Sequence, residues 1–359
     1  MFDLFICPSS NSLMRAVILA GGKGTRLRPL TYTRAKPMIP LLNKPAMEHI
    51  IAKLPSQGFD EVIITTNYQP HQITDYLGDG SKWGVDLKVI QEKEPLGTAG
   101  SVKNASEHLD GTFAVIQGDN ISDIDVGALF KKHKKMGGMA TISLMEVEDV
   151  SHFGIAELSG SRIVRFKEKP KHDETFSNLA NAGIYILEPE VLDMIPLDFY
   201  DFSKNLFPRM LEEKKTICGA VVHDFWRDIG RPEDYLAAMH HLLKAKSLIP
   251  HDAKVVESEI IESSIGSGCT ISGSKIVNSA VFESTMVSKG SKVKNCIIGG
   301  GCKIGENVDI WPGAVIGDRV HIGNNVVIKG TSRIGPDITI THGEICDGVM
   351  LPDDIQEIN

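Results

Sequence analysis

The stretch IGENVDIWPGAVIGDRVHIGNNVVIKGTSRIGPDITI, residues 304–340, carries an isoleucine every six residues. The isoleucines are Ile304, Ile310, Ile316, Ile322, Ile328, Ile334 and Ile340, and glycine follows several of them. A period of six fits neither an α-helix nor an ordinary strand. It is typical of a parallel β-helix, in which each six-residue side contributes one inward side chain to a stacked core. Fainter copies begin at Ile265 and Ile271, so we expect about five coils of about 18 residues.

Composition and charge exclude several classes of protein. The chain has 359 residues, 42% hydrophobic and 23% charged, which is typical of a globular protein with room for two domains. No stretch approaches the roughly 18 consecutive apolar residues of a membrane span, so we expect no membrane partner. The formal net charge of -8 argues against a nucleic-acid partner held by the whole surface. The six cysteines fit no CxxC or zinc spacing, which predicts reduced thiols and a cytoplasmic location.

The chain before the repeats alternates apolar strands with amphipathic segments. The predicted strands are Arg15–Ala20, Glu61–Thr66, Leu87–Gln91, Phe113–Gln117 and Ala140–Glu146, and the predicted helices are Ala46–Gln57, Gln69–Leu77, Thr98–Leu109 and Val126–Met136. This alternation predicts an α/β fold with a parallel, doubly wound, Rossmann-like sheet. Shorter strands at 154–158, 162–166, 182–187 and 217–222 predict antiparallel additions around that sheet.

Two boundaries follow from the same pattern. Pro232–Lys246 is predicted to be a helix, and the break after it, near residues 247–253, divides the chain into domains at 14–248 and 249–359. Met14 stands directly before the first predicted strand. We therefore expect Met14 to be the natural start and residues 1–13 to be an extension, either a misread upstream segment that is not native or a loosely attached arm.

The segment after the first strand, GGKGTRL at residues 21–27, is a candidate phosphate loop. It matches neither the dinucleotide-binding fingerprint nor the Walker A loop. Glycines at the carboxyl edge of a doubly wound sheet nevertheless let backbone N–H groups approach an anion. Arg26 and Lys36 add cations suited to phosphate oxygens. A tight turn with surface bases is the alternative interpretation.

Two acidic residues end or interrupt apolar segments. Asp119 follows the strand Phe113–Gln117, where a carboxylate that faces a phosphate loop is a natural Mg²⁺ ligand. A turn cap is the alternative for Asp119. Asp228 lies inside the apolar stretch 225–230. Taken alone, this position indicates that Asp228 is a hydrogen-bonded residue of the core or of a turn. Cations and a metal without a covalent nucleophile suit phosphoryl or nucleotidyl transfer.

Together these residues resemble the sugar-phosphate nucleotidyltransferases, also called nucleotide-sugar pyrophosphorylases. The family signature GGxGTRLxPLT followed by KP is complete at residues 21–31 and 36–37. Further segments similar to family motifs are EPLGTAG (94–100), GDN (118–120), FGI (153–155), FKEKP (166–170), NAGIY (181–185) and WRD (226–228). The resemblance extends from Met14 to about Ile340. It implies a nucleotidyltransferase domain followed by a left-handed parallel β-helix, through which the chain forms a homo-oligomer.

The resemblance also implies a reaction and a set of site residues. A sugar 1-phosphate oxygen attacks the α-phosphorus of a nucleoside triphosphate, which gives a nucleotide sugar and pyrophosphate. The implied catalytic residues are Arg26 and Lys36, and the implied Mg²⁺ ligands are Asp119 and Asp228. The residues implied in nucleotide binding are Leu19, Ala20, Gly21, Gly22, Gly24, Thr25, Gln91, Pro95, Gly97 and Thr98. Those implied in sugar-phosphate binding are Gly154, Glu168, Lys169 and Asn181.

The sequence predicts one pair of substrates and leaves alternatives to it open. The EPLGTAG segment and WRDIGRPEDYL, residues 226–236, are similar to mannose-1-phosphate guanylyltransferases, which implies GTP, mannose 1-phosphate and GDP-mannose. A UDP- or dTDP-glucose pyrophosphorylase is the alternative within the family. A non-catalytic regulatory subunit is an alternative of another class, and a bifunctional enzyme with an acetyltransferase, using His321 or His342, is a third.

Overall fold

The computed structural model describes residues 13–353 and 355. The predicted extension, residues 1–13, therefore lies outside the described residues except for Leu13. Among the described residues, no helix is long and apolar enough to cross a membrane.

The first domain is built on a nine-stranded sheet. Its strands in chain order are β1 (Met14–Leu19), β2 (Phe59–Thr66), β3 (Asp86–Gln91), β4 (Phe113–Gln117), β5 (Ala140–Glu146), β6 (Gly154–Ser159), β7 (Arg162–Glu168), β8 (Leu179–Leu187) and β9 (Ile217–Val222). Their order across the sheet is β3-β2-β1-β4-β8-β5-β9-β7-β6. β1 pairs in parallel with β2 and β4, and β2 pairs in parallel with β3. This half confirms the predicted doubly wound sheet.

The other half differs from the prediction in the place of β8 and in the direction of β9 relative to β5. β8 does run antiparallel, but it lies in the middle of the sheet, between β4 and β5, and not around it. β9 was expected to be antiparallel. It is antiparallel to β7, with Cys218 opposite Arg162, but it pairs in parallel with β5 on its other side, with Ile217 opposite Ala140. The apolar pattern of a strand reflects its burial and carries no information about the direction of its neighbours. β6 and β7 do form the expected antiparallel hairpin.

Helices cover both faces of the sheet. The α-helices in the described residues are α1 (Ala46–Ile51), α2 (Pro70–Leu77), α3 (Gly97–Asn104), α4 (Val126–Met136), α5 (Phe207–Glu212) and α6 (Pro232–Leu243). Successive side chains of β1 point to opposite faces, so Val17 joins one apolar layer and Ile18 joins the other. α4 has the predicted bounds because Asp125 accepts a hydrogen bond from the backbone N of Ala128 (2.9 Å) and Gly137 adopts a left-handed φ of 67°.

Short elements connect these strands and helices. They are the 3₁₀ turns Thr25–Leu27, Leu30–Tyr32, Lys36–Met38, Pro55–Gln57, Ser81–Trp83, Ser106–His108, His172–Glu174 and Pro189–Met194, the π-helical turn Phe202–Leu206, and the two-stranded pairs Pro40–Leu41 with Lys44–Pro45 and Asn120–Ser122 with Trp226–Asp228. The last pair holds Asp228 opposite Asn120, and so brings the 226–228 segment to the end of β4.

The second domain is a three-sided parallel β-helix, as predicted. Its first face holds Lys254–Val256, Thr270–Ser272, Met286–Val287, Lys303–Ile304, His321–Ile322 and Thr339–Ile340. Its second face holds Glu259–Ile261, Lys275–Val277, Lys292–Lys294, Asp309–Ile310, Val327–Ile328 and Ile345–Cys346. Its third face holds Ser264–Ile265, Ala280–Val281, Ile297–Ile298, Val315–Ile316, Arg333–Ile334 and Val349–Met350. This is the arrangement of a left-handed β-helix.

The repeated isoleucines form the core of this domain. All seven are at most 4% exposed, and those of successive coils stack, as Ile304, Ile322 and Ile340 do. Each face has six strands in the described residues, so the β-helix has one coil more than expected. The early coils are shorter than the late ones. In the first coil Lys254 pairs with Thr270, one coil further along the chain, whereas in a late coil His321 pairs with Thr339. This shortening explains why the period of six is faint before residue 304.

The two domains pack through an apolar interface. The third face of the β-helix presents Ala280, Ile297 and Val315 to a cluster that contains Leu30 and Tyr235 of the first domain. Because burial of apolar area is the main source of stabilisation between packed elements, the β-helix is firmly held against the segment that follows the glycine loop.

The cysteines behave as predicted where they are described. Cys218, Cys269, Cys296, Cys302 and Cys346 are free and buried, whereas Cys7 lies outside the described residues. Burial raises the pKa of Cys296 and of Cys302 to about 12, so these thiols are unreactive packing groups.

Candidate active site

A cavity of about 260 Å³ opens at the carboxyl ends of β1 and β4. Of the predicted site residues, it is lined by Leu19, Ala20, Gly22, Gly24, Thr25, Arg26, Lys36 and Asp119. The carboxyl edge of a doubly wound sheet is where ligands bind in this class of fold. The structure thus brings together most of the residues predicted for the nucleotide phosphates.

Gly24 allows the glycine loop to lie against Lys36. Its φ is +65°, and a Cβ there would come within 2.9 Å of Cβ of Lys36 and of Cγ2 of Thr31. The hydroxyl of Thr31 donates a hydrogen bond to the carbonyl oxygen of Gly24 (2.9 Å). A left-handed φ combined with so close an approach makes glycine the residue that fits this position.

Lys36 joins two carboxylates, of which Asp119 lines the cavity and Asp228 is not among the lining residues. Its ammonium donates hydrogen bonds to Oδ2 of Asp119 and to Oδ1 of Asp228, the latter over 3.3 Å. Nη2 of Arg26 lies 3.6 Å from Oδ2 of Asp228. The Lys36 side chain is only 9% exposed, whereas that of Arg26 is 54% exposed. Lys36 is therefore fixed in place, and Arg26 retains exposed surface for an anion.

The electrostatics of this cluster favour an additional cation. Burial opposes ionisation of Asp119, but the Lys36 ammonium outweighs it and holds the pKa of Asp119 below its usual value. Burial and then the negative charge of Asp119 raise the pKa of Asp228 to about 6. The raised pKa of Asp228 means that the Lys36 ammonium and the Arg26 guanidinium do not fully offset the burial of this carboxyl and the charge of Asp119.

The donor set fits a magnesium ion shared with substrate. Among the described residues, no group of three or more His, Cys, Asp or Glu side chains could hold a metal. Mg²⁺ is, however, commonly bound by one or two carboxylates together with water and substrate phosphates. Asp119 and Asp228 supply two such carboxylates, so these residues are chemically suited to bind Mg²⁺. The metal site itself stays a prediction.

A second group of predicted residues surrounds Glu168. Gly154 lies opposite Glu168 in the β6–β7 hairpin, and a Cβ on Gly154 would come within 2.8 Å of Oε2 of Glu168. Burial raises the pKa of Glu168. Nζ of Lys169 lies 3.8 Å from Oε1 of Glu168, and the Lys169 side chain is mostly exposed. The hairpin thus presents a carboxylate and an ammonium side by side.

The Asn181 side chain is fixed by hydrogen bonds to residues of β8 and of the π-helical turn. Its Nδ2 donates hydrogen bonds to the hydroxyls of Tyr185 (2.9 Å) and Ser203 (3.2 Å), and its Oδ1 accepts one from the backbone N of Gly183 (2.9 Å). The amide is therefore preorganised, although a substrate hydroxyl has to share or replace these partners.

The remaining predicted nucleotide residues lie outside the cavity lining. Gln91 is exposed at the end of β3, Pro95 is exposed in the loop that follows, and Gly97 begins α3 with φ +71°. The Thr98 hydroxyl accepts a hydrogen bond from the backbone N of Phe202 (3.0 Å), which gives it a structural role. Gly21 is also absent from the lining residues. The predicted roles of these residues in nucleotide binding stay predictions.

Four further residues line the cavity and were not predicted. They are Pro37, Gln117, Gly118 and Gly230. A Cβ on Gly230 would come within 2.6 Å of Nη2 of Arg26, and one on Gly118 within 2.7 Å of the Leu19 carbonyl oxygen. Both glycines stand within two residues of a predicted metal ligand, and that position beside Asp119 or Asp228 is the signal that could have revealed them.

Comparison with known proteins identifies the family. The model of the family described as nucleotidyl transferase matches residues 15–245, which is more than half of the chain. The chain belongs to the nucleotidyl transferase family. The resemblance seen in the sequence, and the class of enzyme it implied, are thereby confirmed. A second model, described as the GMPPB C-terminal domain, matches residues 243–351 of this nucleotidyl transferase.

Three relatives illustrate what this nucleotidyl transferase is similar to. Mannose-1-phosphate guanylyltransferase 1 of Arabidopsis thaliana is 33% identical over 95% of this chain and 99% of its own. A UTP–glucose-1-phosphate uridylyltransferase of Synechocystis is 39% identical over 64% of this chain and 63% of its own. The crystal structure of HddC from Yersinia pseudotuberculosis complexed with GMP-PN has a TM-score of 0.55 and 29% identity, over 64% of this chain and 99% of that one.

Proposed function

We propose that this nucleotidyl transferase joins GTP to mannose 1-phosphate and forms GDP-mannose and pyrophosphate. The observation that carries the proposal is the similarity over nearly the whole of both chains to a mannose-1-phosphate guanylyltransferase, with the β-helix included. The Lys36–Asp119–Asp228 cluster supports it, because it supplies the charged groups that phosphate transfer needs.

The reaction is a displacement at phosphorus. An oxygen of the sugar phosphate forms a bond to the α-phosphorus of the nucleotide as the bond from that phosphorus to the β-phosphate oxygen breaks. Pyrophosphate leaves with the bonding electrons. The fixed Lys36 ammonium stabilises negative charge on the α-phosphate, and the exposed guanidinium of Arg26 binds the leaving pyrophosphate. Backbone N–H groups of residues 21–25 hold the phosphates.

Asp119 and Asp228 would hold the magnesium ion. When bound, Mg²⁺ neutralises phosphate charge and orients the phosphate oxygens. Lys36 keeps Asp119 ionised for this purpose, because its ammonium offsets the burial that would otherwise favour the neutral acid.

Glu168, Asn181 and Lys169 are proposed to bind the sugar phosphate. A carboxylate and an amide suit sugar hydroxyls, since the carboxylate accepts hydrogen bonds and the amide both donates and accepts them. The exposed ammonium of Lys169 suits the phosphate of the same substrate. Gly154 supports this pocket by leaving room for the Glu168 carboxylate.

A uridylyltransferase acting on glucose 1-phosphate is the second candidate, and the Synechocystis relative favours it. The regulatory-subunit alternative is disfavoured because Arg26, Lys36, Asp119 and Asp228 are all present and assembled. The acetyltransferase alternative is disfavoured because Nδ1 of His342 accepts a hydrogen bond from the backbone N of Asn324 (2.7 Å), so this side chain braces the preceding coil.

We also propose that the β-helix carries the contacts of a homo-oligomer. Trp311, directly after the second-face strand Asp309–Ile310, and Ile345 on that face are 44% and 68% exposed. Light scattering of the purified chain tests this, and a monomer at all concentrations would contradict it.

The proposed reaction is tested on the purified full chain with GTP, mannose 1-phosphate and Mg²⁺. We expect GDP-mannose and pyrophosphate in equal amounts by mass spectrometry and a coupled pyrophosphate assay. The Asp119→Ala variant should lose this activity. No product from the wild-type chain would contradict the proposal, and an unchanged Asp119→Ala variant would contradict the role given to Asp119.

A further inference from the structure

We infer that Asp318, in the β-helix, is a positioning residue for Lys36 in the active site. The inference rests on the proposed function, because it concerns the chemical step in which Lys36 takes part. By this inference the second domain contributes to the geometry of the active site, in addition to its apolar packing against the first domain.

Hydrogen bonds from Thr33 and Arg34 cross the boundary between the two domains. Nε and Nη2 of Arg34 donate hydrogen bonds to Oδ2 and Oδ1 of Asp318, over 3.0 and 3.1 Å. The hydroxyl of Thr33 donates to the same Oδ2 (2.6 Å). Nη2 of Arg34 also reaches Oε1 of Glu283 (2.5 Å). A two-pronged arginine–carboxylate pair fixes orientation as well as distance, so residues 33 and 34 are held in one arrangement.

Asp318 is itself held firmly by the β-helix. Its side chain is only 5% exposed, and its Oδ1 accepts a hydrogen bond from the backbone N of Gly300 in the preceding coil (2.7 Å). A Cβ on Gly300 would come within 2.9 Å of Nη2 of Arg34, so glycine at this position leaves room for the guanidinium. The anchor is a rigid carboxylate in a rigid coil, which is what a positioning group requires.

The first domain holds the same short segment from its other side. The Gln72 side chain on α2 accepts a hydrogen bond from the backbone N of Ala35 (2.8 Å) and donates one to the carbonyl oxygen of Thr33 (2.9 Å). Residues 33–35 are thus clamped between α2 and the β-helix. Lys36 follows directly, so the clamp sets where its side chain enters the active site.

Adhesion between the domains does not require this polar clamp. The apolar cluster with Ile297 and Val315 already joins them, and a buried ion pair adds little net stability because its desolvation offsets its attraction. What the clamp supplies is a fixed geometry for Lys36. Displacement of a catalytic group by about 1 Å is enough to reduce a rate by orders of magnitude.

The test compares Asp318→Asn with Asp337→Asn in the full chain. Asp337 is the matched control: it stands at the neighbouring position one coil later and forms an equally direct ion pair with Arg319 (2.7 Å), but it is exposed and its carboxylate pairs within the β-helix. We expect Asp318→Asn to lower kcat about tenfold with each KM within about twofold. Asp337→Asn should leave both constants unchanged.

A double-mutant cycle separates positioning from general damage. In a Lys36→Ala background, Asp318→Asn should cause no further loss of kcat, because the residue it positions is absent. If Asp318→Asn folds poorly, as its melting temperature would reveal, Arg34→Lys serves as the second variant, since it keeps the charge but loses the two-pronged pair.

Each outcome has a defined meaning. If the wild-type chain turns over substrate and the kcat of Asp318→Asn equals that of Asp337→Asn, the inference is overturned and the proposed function stays intact. A loss of kcat that persists undiminished in the Lys36→Ala background also overturns it. A wild-type chain without turnover contradicts the proposed function and, with it, this inference.

Discussion

Nζ of Lys36 lies 3.3 Å from Oδ1 of Asp228, although 192 positions separate the two residues. The same ammonium contacts Asp119, which stands 83 positions from Lys36. Three segments that are distant in the chain therefore meet at one cation. Because the two acids share that cation, removal of Lys36 affects both carboxylates at once.

Replacement of Lys36 tests this arrangement. We expect Lys36→Ala to lower kcat at least about 100-fold, because it removes a fixed cation from the reacting phosphate. Steady-state kinetics check this against Lys131→Ala, which removes an exposed lysine on α4. Equal activity of the two variants would contradict the catalytic role of Lys36.

Much of the fold was predictable because it depends on local patterns. The isoleucine period predicted the β-helix, and the bounds of β4, β5, β9 and α4 match the predictions residue for residue. These elements have uniform apolar patterns with clear turn or cap residues at their ends. Ala46–Gln57 was predicted as one helix, but α1 ends at Ile51 and a 3₁₀ turn begins at Pro55, which cannot continue a helix.

Gly24 tests the close approach between the glycine loop and Lys36. Gly24→Ala should destabilise the chain by about 1 to 2 kcal/mol, because alanine is strained at its left-handed φ, and it should also lower kcat by displacing Lys36. Chemical unfolding and kinetics measure the two effects. Gly111→Ala is the control, since a Cβ there meets no atom within 4 Å. A Gly24→Ala variant as stable and active as the control would disprove the constraint.

Glu168 tests the proposed sugar-phosphate pocket. Glu168→Gln should raise KM for mannose 1-phosphate about tenfold and leave KM for GTP unchanged, because a charged hydrogen-bond acceptor for the sugar is lost. The control is Glu157→Gln, an exposed position on the neighbouring strand β6. The assignment fails if KM for GTP changes instead, or if neither constant differs from that of the control.

His133 predicts a pH dependence of stability. It is fully buried between the Thr141 hydroxyl and Glu188, and burial lowers its pKa. As the pH falls below about 6.5, the unfolded chain binds a proton that the folded chain does not, so stability decreases. The melting temperature of His133→Gln should therefore fall less than that of wild type between about pH 7 and about pH 5.5. Exposed His71, changed to Gln, should behave as wild type.

Relationships between distant residues were beyond prediction. Asp318 and Arg34 stand 284 positions apart in different domains, and nothing near either residue indicates the other. The position of β8 in the middle of the sheet likewise depends on which strands pair. For the site, the motifs predicted which residues matter, but their hydrogen bonds and burial depend on the folded neighbours.

The central claim is the choice of substrates, and one measurement tests it most directly. Pyrophosphate release is followed with Mg²⁺ while GTP, UTP, dTTP, CTP and ATP are each crossed with mannose, glucose and N-acetylglucosamine 1-phosphates. We predict that kcat/KM is highest for GTP with mannose 1-phosphate. A higher value for UTP or dTTP with glucose 1-phosphate would contradict the claim, and so would the absence of turnover with every pair.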